Sequence, residues 1–214
     1  MTQNASSTQC RDRTPLLWLA AVLAAAQLSG CALVVGGTMV AIDRRTTGAQ
    51  VEDTTIESKA SSRIKELVGD RSHVNITSYN RTVLLTGEAA TEGDRTAIEQ
   101  AVQRIENVRS TVNELAVMLP SSLSTRSNDS FLTGKVKATY VDAKDLQANA
   151  FKVVTERNNV YLMGRVTERE ATRATDLART VSGVQKVVRV FEIVTEAELA
   201  EAQTKTEPAT APKK

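Results

Sequence analysis

With one histidine, two cysteines and aromatic residues at only 3% of its length, this 214-residue chain lacks most of the side chains on which enzymes and metalloproteins are built. His73 is the only imidazole, and with Cys10 and Cys31 it makes no His/Cys cluster of metal-ligand spacing. No Cys–His or Ser–His arrangement is available to activate a nucleophile. P-loop, GxGxxG, HExxH and GxSxG motifs are all missing. The carboxylates Glu92, Asp94, Glu99, Glu168 and Glu170 fall at the starts or on the polar faces of predicted helices, where they complement the helix dipole or meet water. A protein without enzymatic activity, metal or cofactor is expected. The balance of 27 basic to 25 acidic residues gives a net charge of +2, too little to release counterions from a phosphate backbone, so a nucleic-acid partner is excluded as well. Long hydrophobic runs are also scarce. The longest, LLWLAAVLAAA at 16–26, has 11 residues where a bilayer core needs roughly 20, so it does not span a membrane.

That short run has a different meaning. Arg11 and Arg13 precede it and Leu28-Ser29-Gly30-Cys31 follows it, so it reads as the apolar centre of a secretory signal peptide. LSGC is similar to the lipobox of bacterial lipoproteins. That resemblance implies cleavage before Cys31, a diacylglyceryl group on its thiol and acylation of the freed amine. Ala32 stands where an aspartate would favour retention in the inner membrane, so the resemblance implies lipid anchoring in the outer membrane, facing the periplasm. Two or three acyl chains on one residue hold a protein on a membrane effectively for good. The remaining chain has no second cysteine, so its stability must come from packing rather than disulfides.

What the rest of the chain does have is a repeat. TVLLTGEA at 82–89 reads like NVYLMGRV at 159–166, with Gly87 matching Gly164. Asp53, Ile56 and Lys59 match Asp129, Leu132 and Lys135, and Val108, Val112 and Leu115 match Val184, Val188 and Phe191. Each copy reads helix, strand, strand, helix, strand. Thr54 with Glu57 and Thr167 with Glu170 have capping-box spacing. Ile56, Ala60, Ile64 and Leu67 recur at helical period, and Asn80-Arg81 separates two alternating strands. A unit of this size buries only about 60% of its unfolded surface, so the two copies are expected to pack together. The expected divisions are a signal peptide at 1–30, a lipidated N-terminus and tether at 31–52, a first repeat at 53–118, a linker at 119–128, a second repeat at 129–194 and a disordered tail at 195–214.

Two copies of this order, each carrying a glycine late in the second strand, resemble BON domains. With the lipobox and the stretches DRRTTGAQVED, VYLMGRVTERE and VSGVQKVVRVFEIV, the chain is similar to dual BON-domain outer-membrane lipoproteins. The resemblance implies an α+β fold of two tandem small domains and a non-enzymatic role in outer-membrane integrity. It also implies binding of anionic phospholipid through the second domain and enrichment at division sites.

Comparison of the repeats singles out a candidate binding surface. Leu132, Val136 and Tyr140 align with the apolar stripe Ile56, Ala60 and Ile64, whereas Phe131 aligns with Thr55, one position off the buried face. Gly134, Lys135 and Ala138 follow Phe131 on the same side, with Lys137 on the flank. An aromatic wedge, small residues and lysines suit a helix lying against anionic headgroups, each lysine contributing about 1 kcal/mol near the surface. Packing of Phe131 against the first repeat is the other reading of the same residue. A protein–protein adaptor, docking an envelope enzyme or assembly factor on this helix or on a sheet edge, is the other reading of the function.

Overall fold

The computed structural model describes residues 43–206, with side chains through Glu201. The expected signal peptide, Cys31, residues 31–42 of the tether and the last eight residues of the tail lie outside that range. The first repeat contains α1 (Thr47–Val68), β1 (His73–Tyr79), β2 (Thr82–Ala89), α2 (Glu92–Gln103), β3 (Ser110–Asn113) and β4 (Ala116–Val117). The second contains α3 (Leu123–Asp142), β5 (Phe151–Glu156), β6 (Asn159–Val166), α4 (Glu168–Thr180) and β7 (Lys186–Ile193), and α5 (Glu196–Thr206) follows. This is the α+β order read from the sequence, in two copies. β1 pairs antiparallel with β2, and β3 and β4 pair parallel with it. β5, β6 and β7 repeat the arrangement.

Both hairpins turn on two non-glycine residues at positive φ, Asn80-Arg81 and Arg157-Asn158. Such turns match the strand twist but strain side chains other than glycine or asparagine. The repeated aspartate offsets that strain. Asp53 accepts from the backbone N–H groups of Asn80 and Arg81, both at 2.8 Å, and Asp129 from those of Arg157 and Asn158 at 2.8 and 2.9 Å. Gly87, at φ +106°, has its own cause: a Cβ there would collide with the carbonyl of His73 across the hairpin.

These aspartates also explain why the helix starts differ from those expected. Asp53 and Asp129 sit in helix interiors and face the core, and nothing ahead of them breaks the helix. α1 therefore starts at Thr47, capped by Thr46, whose hydroxyl accepts from Ala49 N. Thr54 lies within it and donates to Gln50 O, so the expected box with Glu57 does not form. Glu57 instead accepts from Ser78 N and Lys152 Nζ. α3 likewise begins at Leu123, capped by Ser122, and only 119–122 of the expected linker are non-helical. At α4 the Thr167–Glu170 capping box is present as expected. The expected tail also differs: 196–206 are helical, capped by Thr195, and Leu199 is buried.

Each sheet packs one face on its own helices. Ile56, Ala60, Ile64, Val83, Leu85, Ile98 and Val102 form one core, with Val68 rather than the expected Leu67 completing the α1 stripe. Leu132, Val136, Tyr140, Val153, Leu162 and Ala174 are among those forming the other. The opposite faces meet through Tyr79, Leu84, Tyr161 and Met163, which explains why β2 and β6 are buried along nearly their whole length. Among the described residues, no helix is long and apolar enough to cross a membrane.

The end of the expected tether is part of the fold. Arg44 is buried against the second repeat, donating to Glu170 Oε1 and Oε2 at 2.7 and 2.8 Å, to Gln147 Oε1 at 2.8 Å and to Arg165 O at 3.1 Å. The Arg44 guanidinium, opposed by burial and helped by Thr167 N–H, holds the Glu170 carboxyl below the usual glutamate value. A depressed carboxyl stabilises the folded state above the unfolded pKa and loses that contribution as pH falls through the folded one. Arg44→Ala is expected to cost about 3 kcal/mol at pH 7, because it strands a buried carboxylate. Denaturant titrations of both proteins should show the difference shrinking as the pH drops below the ordinary glutamate range.

Candidate functional site

The rotational setting of α3 decides which residues it offers to a partner. Asp129, Leu132, Val136 and Tyr140 are buried along one side. Asp129 is held by the hairpin turn, and Thr133 Oγ1 donates to Thr155 Oγ1 at 2.8 Å. Tyr140 donates to Ala174 O at 2.9 Å and packs its ring 5.3 Å from that of Phe151. Burial pushes its phenol well above the ordinary tyrosine value, which keeps it a donor. Polar bonds and apolar packing thus fix the helix about its own axis.

The opposite side faces outward. Leu123, Ser127, Phe131, Gly134, Ala138 and Val141 follow one another at spacings of three or four residues and are all exposed. Phe131 is 66% exposed, Leu123 80% and Val141 71%, which rules out packing of Phe131 against the first repeat. Lys135 lies on one flank with its ammonium 5.2 Å from the Phe131 ring centroid, donating to Ser182 O at 3.2 Å. Lys137 is exposed on the other flank. A Cβ on Gly134 would touch nothing, so the glycine is not required by packing and leaves an open notch beside the phenylalanine. Phe131, Gly134, Lys135, Lys137 and Ala138 are therefore brought together on one accessible surface. Leu123 and Val141 extend it, and the sequence reading missed both by starting the helix near Asp129.

The surface belongs to one repeat only. The positions of α1 matching the outward row are Thr47, Val51, Thr55, Ser58, Ser62 and Lys65, polar at all but Val51. Among the described residues, six of the nine large apolar side chains left exposed fall between Val117 and Val141. An apolar ridge flanked by lysines can wedge between lipid acyl chains while its cations meet phosphate oxygens.

The BON domain family model matches residues 52–118 and 128–195. The chain belongs to the BON-domain family. Within it, the chain is 37% identical over 188 residues to the outer membrane lipoprotein DolP of Haemophilus influenzae, covering 84% of this chain and 97% of that one. It is a dual BON-domain outer-membrane lipoprotein. A 21 kDa hemolysin of Actinobacillus pleuropneumoniae is 28% identical over 155 residues, covering 72% of this chain and 80% of its own length. Among solved structures, CdsD, a structural protein of the type III secretion system of Chlamydia trachomatis, aligns with 70% of this chain and 99% of its own at 11% identity. Its TM-score of 0.28 carries no structural inference. BON-domain lipoproteins of this kind are not enzymes, and neither is this chain.

Neighbouring residues of α3 should respond oppositely to truncation. Phe131→Ala is expected to change stability by less than about 0.5 kcal/mol, whereas Leu132→Ala, which empties a core position, should cost about 2–5 kcal/mol. Thermal or urea unfolding of the two variants measures both.

Proposed function

We propose that this outer-membrane lipoprotein is anchored by acyl chains on Cys31 and binds anionic phospholipid through the outward face of α3, supporting outer-membrane integrity from the periplasmic side. The observation that carries the reading is the 66% exposure of Phe131 in an apolar row with lysines on both flanks. Exposing a phenylalanine to water without a partner forgoes roughly 1.5–3 kcal/mol of burial, which contact with acyl chains restores. Lys135 and Lys137 add attraction that is specific for anionic headgroups and weakens with salt. The contact is weak by itself, and the anchor makes it effective by holding the helix at high local concentration near lipid. Enrichment at division sites fits this reading if anionic lipid is concentrated there.

The test is flotation of a soluble form beginning at Asp43 with phosphatidylglycerol vesicles, and with neutral phosphatidylcholine vesicles for comparison. Wild-type protein is expected to bind the anionic vesicles with an affinity that falls as salt rises, and Phe131→Glu to reduce binding at least tenfold while keeping the fold. Wild-type protein that ignores anionic vesicles but retains an envelope protein in pull-down would establish the adaptor role instead. The anchor is checked separately: mass spectrometry of the mature N-terminus should show an acylated Cys31, and an unmodified thiol would refute it.

A further inference from the structure

Three side chains far apart in sequence converge where the two repeats meet. His73 opens β1, Glu88 faces it across the antiparallel β1–β2 pair, and Glu156 closes β5 of the second repeat. A ring nitrogen of His73 and one carboxylate oxygen from each glutamate lie within 4.8 Å of one another. Glu88 and Glu156 are 0% and 2% exposed. Glu88 Oε2 accepts from Ser121 N at 3.1 Å and lies 3.2 Å from His73 Nδ1, and Glu156 Oε2 accepts from Asn75 Nδ2 at 2.7 Å. The remaining oxygen of each, Glu88 Oε1 and Glu156 Oε1, is buried with no hydrogen-bond donor. Arg157 Nε comes no closer than 3.9 Å to Glu88 Oε1, beyond hydrogen-bond range. Two buried carboxylates facing each other with unfilled lone pairs are costly, and a native fold keeps such groups only where something satisfies them. The Glu156 carboxyl shows the cost: burial raises it above the usual glutamate value, Glu88 and Asp129 add to the rise, and Asn75 and His73 oppose it.

We propose that His73, Glu88 and Glu156 bind a divalent transition-metal cation, with zinc the best match, and that the ion clamps the two repeats together. One imidazole nitrogen and two carboxylate oxygens form a borderline-hard donor set that suits zinc. Ligand bonds of about 2.0–2.2 Å place neighbouring ligands of a tetrahedral zinc roughly 3.3 Å apart, close to the existing His73–Glu88 spacing. Rotation of the Glu156 side chain supplies the third edge. A cavity of about 330 Å³, lined by His73 and Glu156 with Asp129 and Arg126 among its other walls, reaches two of the three ligands and leaves room for water as a fourth. The cluster is not a by-product of the repeat. The related positions at the other end of the sheet interface are Ala150, Arg165 and Tyr79, which hold no comparable set.

The lipoprotein purified without a tag in detergent, stripped with a chelator and dialysed against Zn²⁺, should retain one zinc per chain by elemental mass spectrometry. Its Tm should rise by roughly 5–10 °C when free zinc exceeds Kd a hundredfold. Glu156→Gln and His73→Gln, both close in shape to the native residues, should lose the bound zinc and the Tm response. Co²⁺ added to the wild-type protein should give the visible bands of a low-coordinate protein site, a readout that does not depend on either variant folding. Failure of the wild-type protein to retain zinc stoichiometrically, a cobalt spectrum like that of the free aqueous ion, or undiminished zinc in both variants would each overturn the proposal. In the first two cases the glutamates are a buried pair sharing a proton.

Discussion

Everything else in this molecule depends on the stacking of its two sheets. A repeat of this size covers one face of its sheet with two helices and leaves the other bare. Leu84 and Tyr161, equivalent residues of β2 and β6, close those bare faces against each other with Tyr79 and Met163. With both faces covered, the central strands are buried along most of their length, and their backbones have little water to bond. Two units that would each be marginal alone thereby share one continuous interior. Lys152, reaching from β5 to Glu57 and Ser78 O, and Asn75, reaching from β1 to Glu156, tie the polar margins of the same contact.

Duplication makes the two halves alike, and the proposed binding surfaces lie where they differ. Asp53 and Asp129 do the same work, each fastening a strained hairpin to its helix. Thr55 and Phe131 do not. The first leaves α1 with a solvated outer face, and the second turns the same face of α3 into an apolar ridge. Tyr79 and Glu156 diverge in the same way at the ends of their strands, as do Glu88 and Arg165 at matched positions of β2 and β6. A mutation that merely preserved the fold would keep both members of each pair alike, so the departures from symmetry mark what was added to the shared scaffold.

Much of this was legible in the sequence because it is local or repeated. The matched glycines Gly87 and Gly164, the paired aspartates and the Thr167–Glu170 box are read from spacing alone, and the structure gives each a cause. Phe131 was identifiable by subtraction, since Leu132, Val136 and Tyr140 already filled the buried stripe. Helix starts were misread where a residue suited to a cap was held elsewhere. Thr54 bonds back to Gln50 within the helix, and Asp129 is drawn inward by turn amides 28 and 29 residues away. Arg44 and the cluster of His73, Glu88 and Glu156 were illegible for a stronger reason. Glu170 lies 126 positions from Arg44 and Glu156 lies 68 from Glu88, so contact between the repeats brings them together, and only the His73–Glu88 pair comes from one hairpin.

The docking of Arg44 bears on how the proposed anchor and the proposed lipid-binding helix would act together. α1 belongs to the first repeat, yet Arg44, three residues ahead of it, is bonded to Glu170, Gln147 and Arg165 of the second. A chain anchored at Cys31, as proposed, would pull on the second repeat through Arg44 as well as on the first through Arg45, which pairs with both Asp43 and Asp53. Arg44 lies thirteen positions after Cys31, which limits the reach to about 45 Å in any conformation. Within that radius a lipid surface has a high effective concentration, so a ridge of one phenylalanine and two lysines needs only modest intrinsic affinity to be engaged much of the time. Had the tether been flexible up to α1, as its composition suggests, the repeat that carries the ridge would have hung at the far end of the molecule's own linkage. The buried Arg44–Glu170 pair removes that slack, and it does so at the one repeat whose outer helix face is apolar.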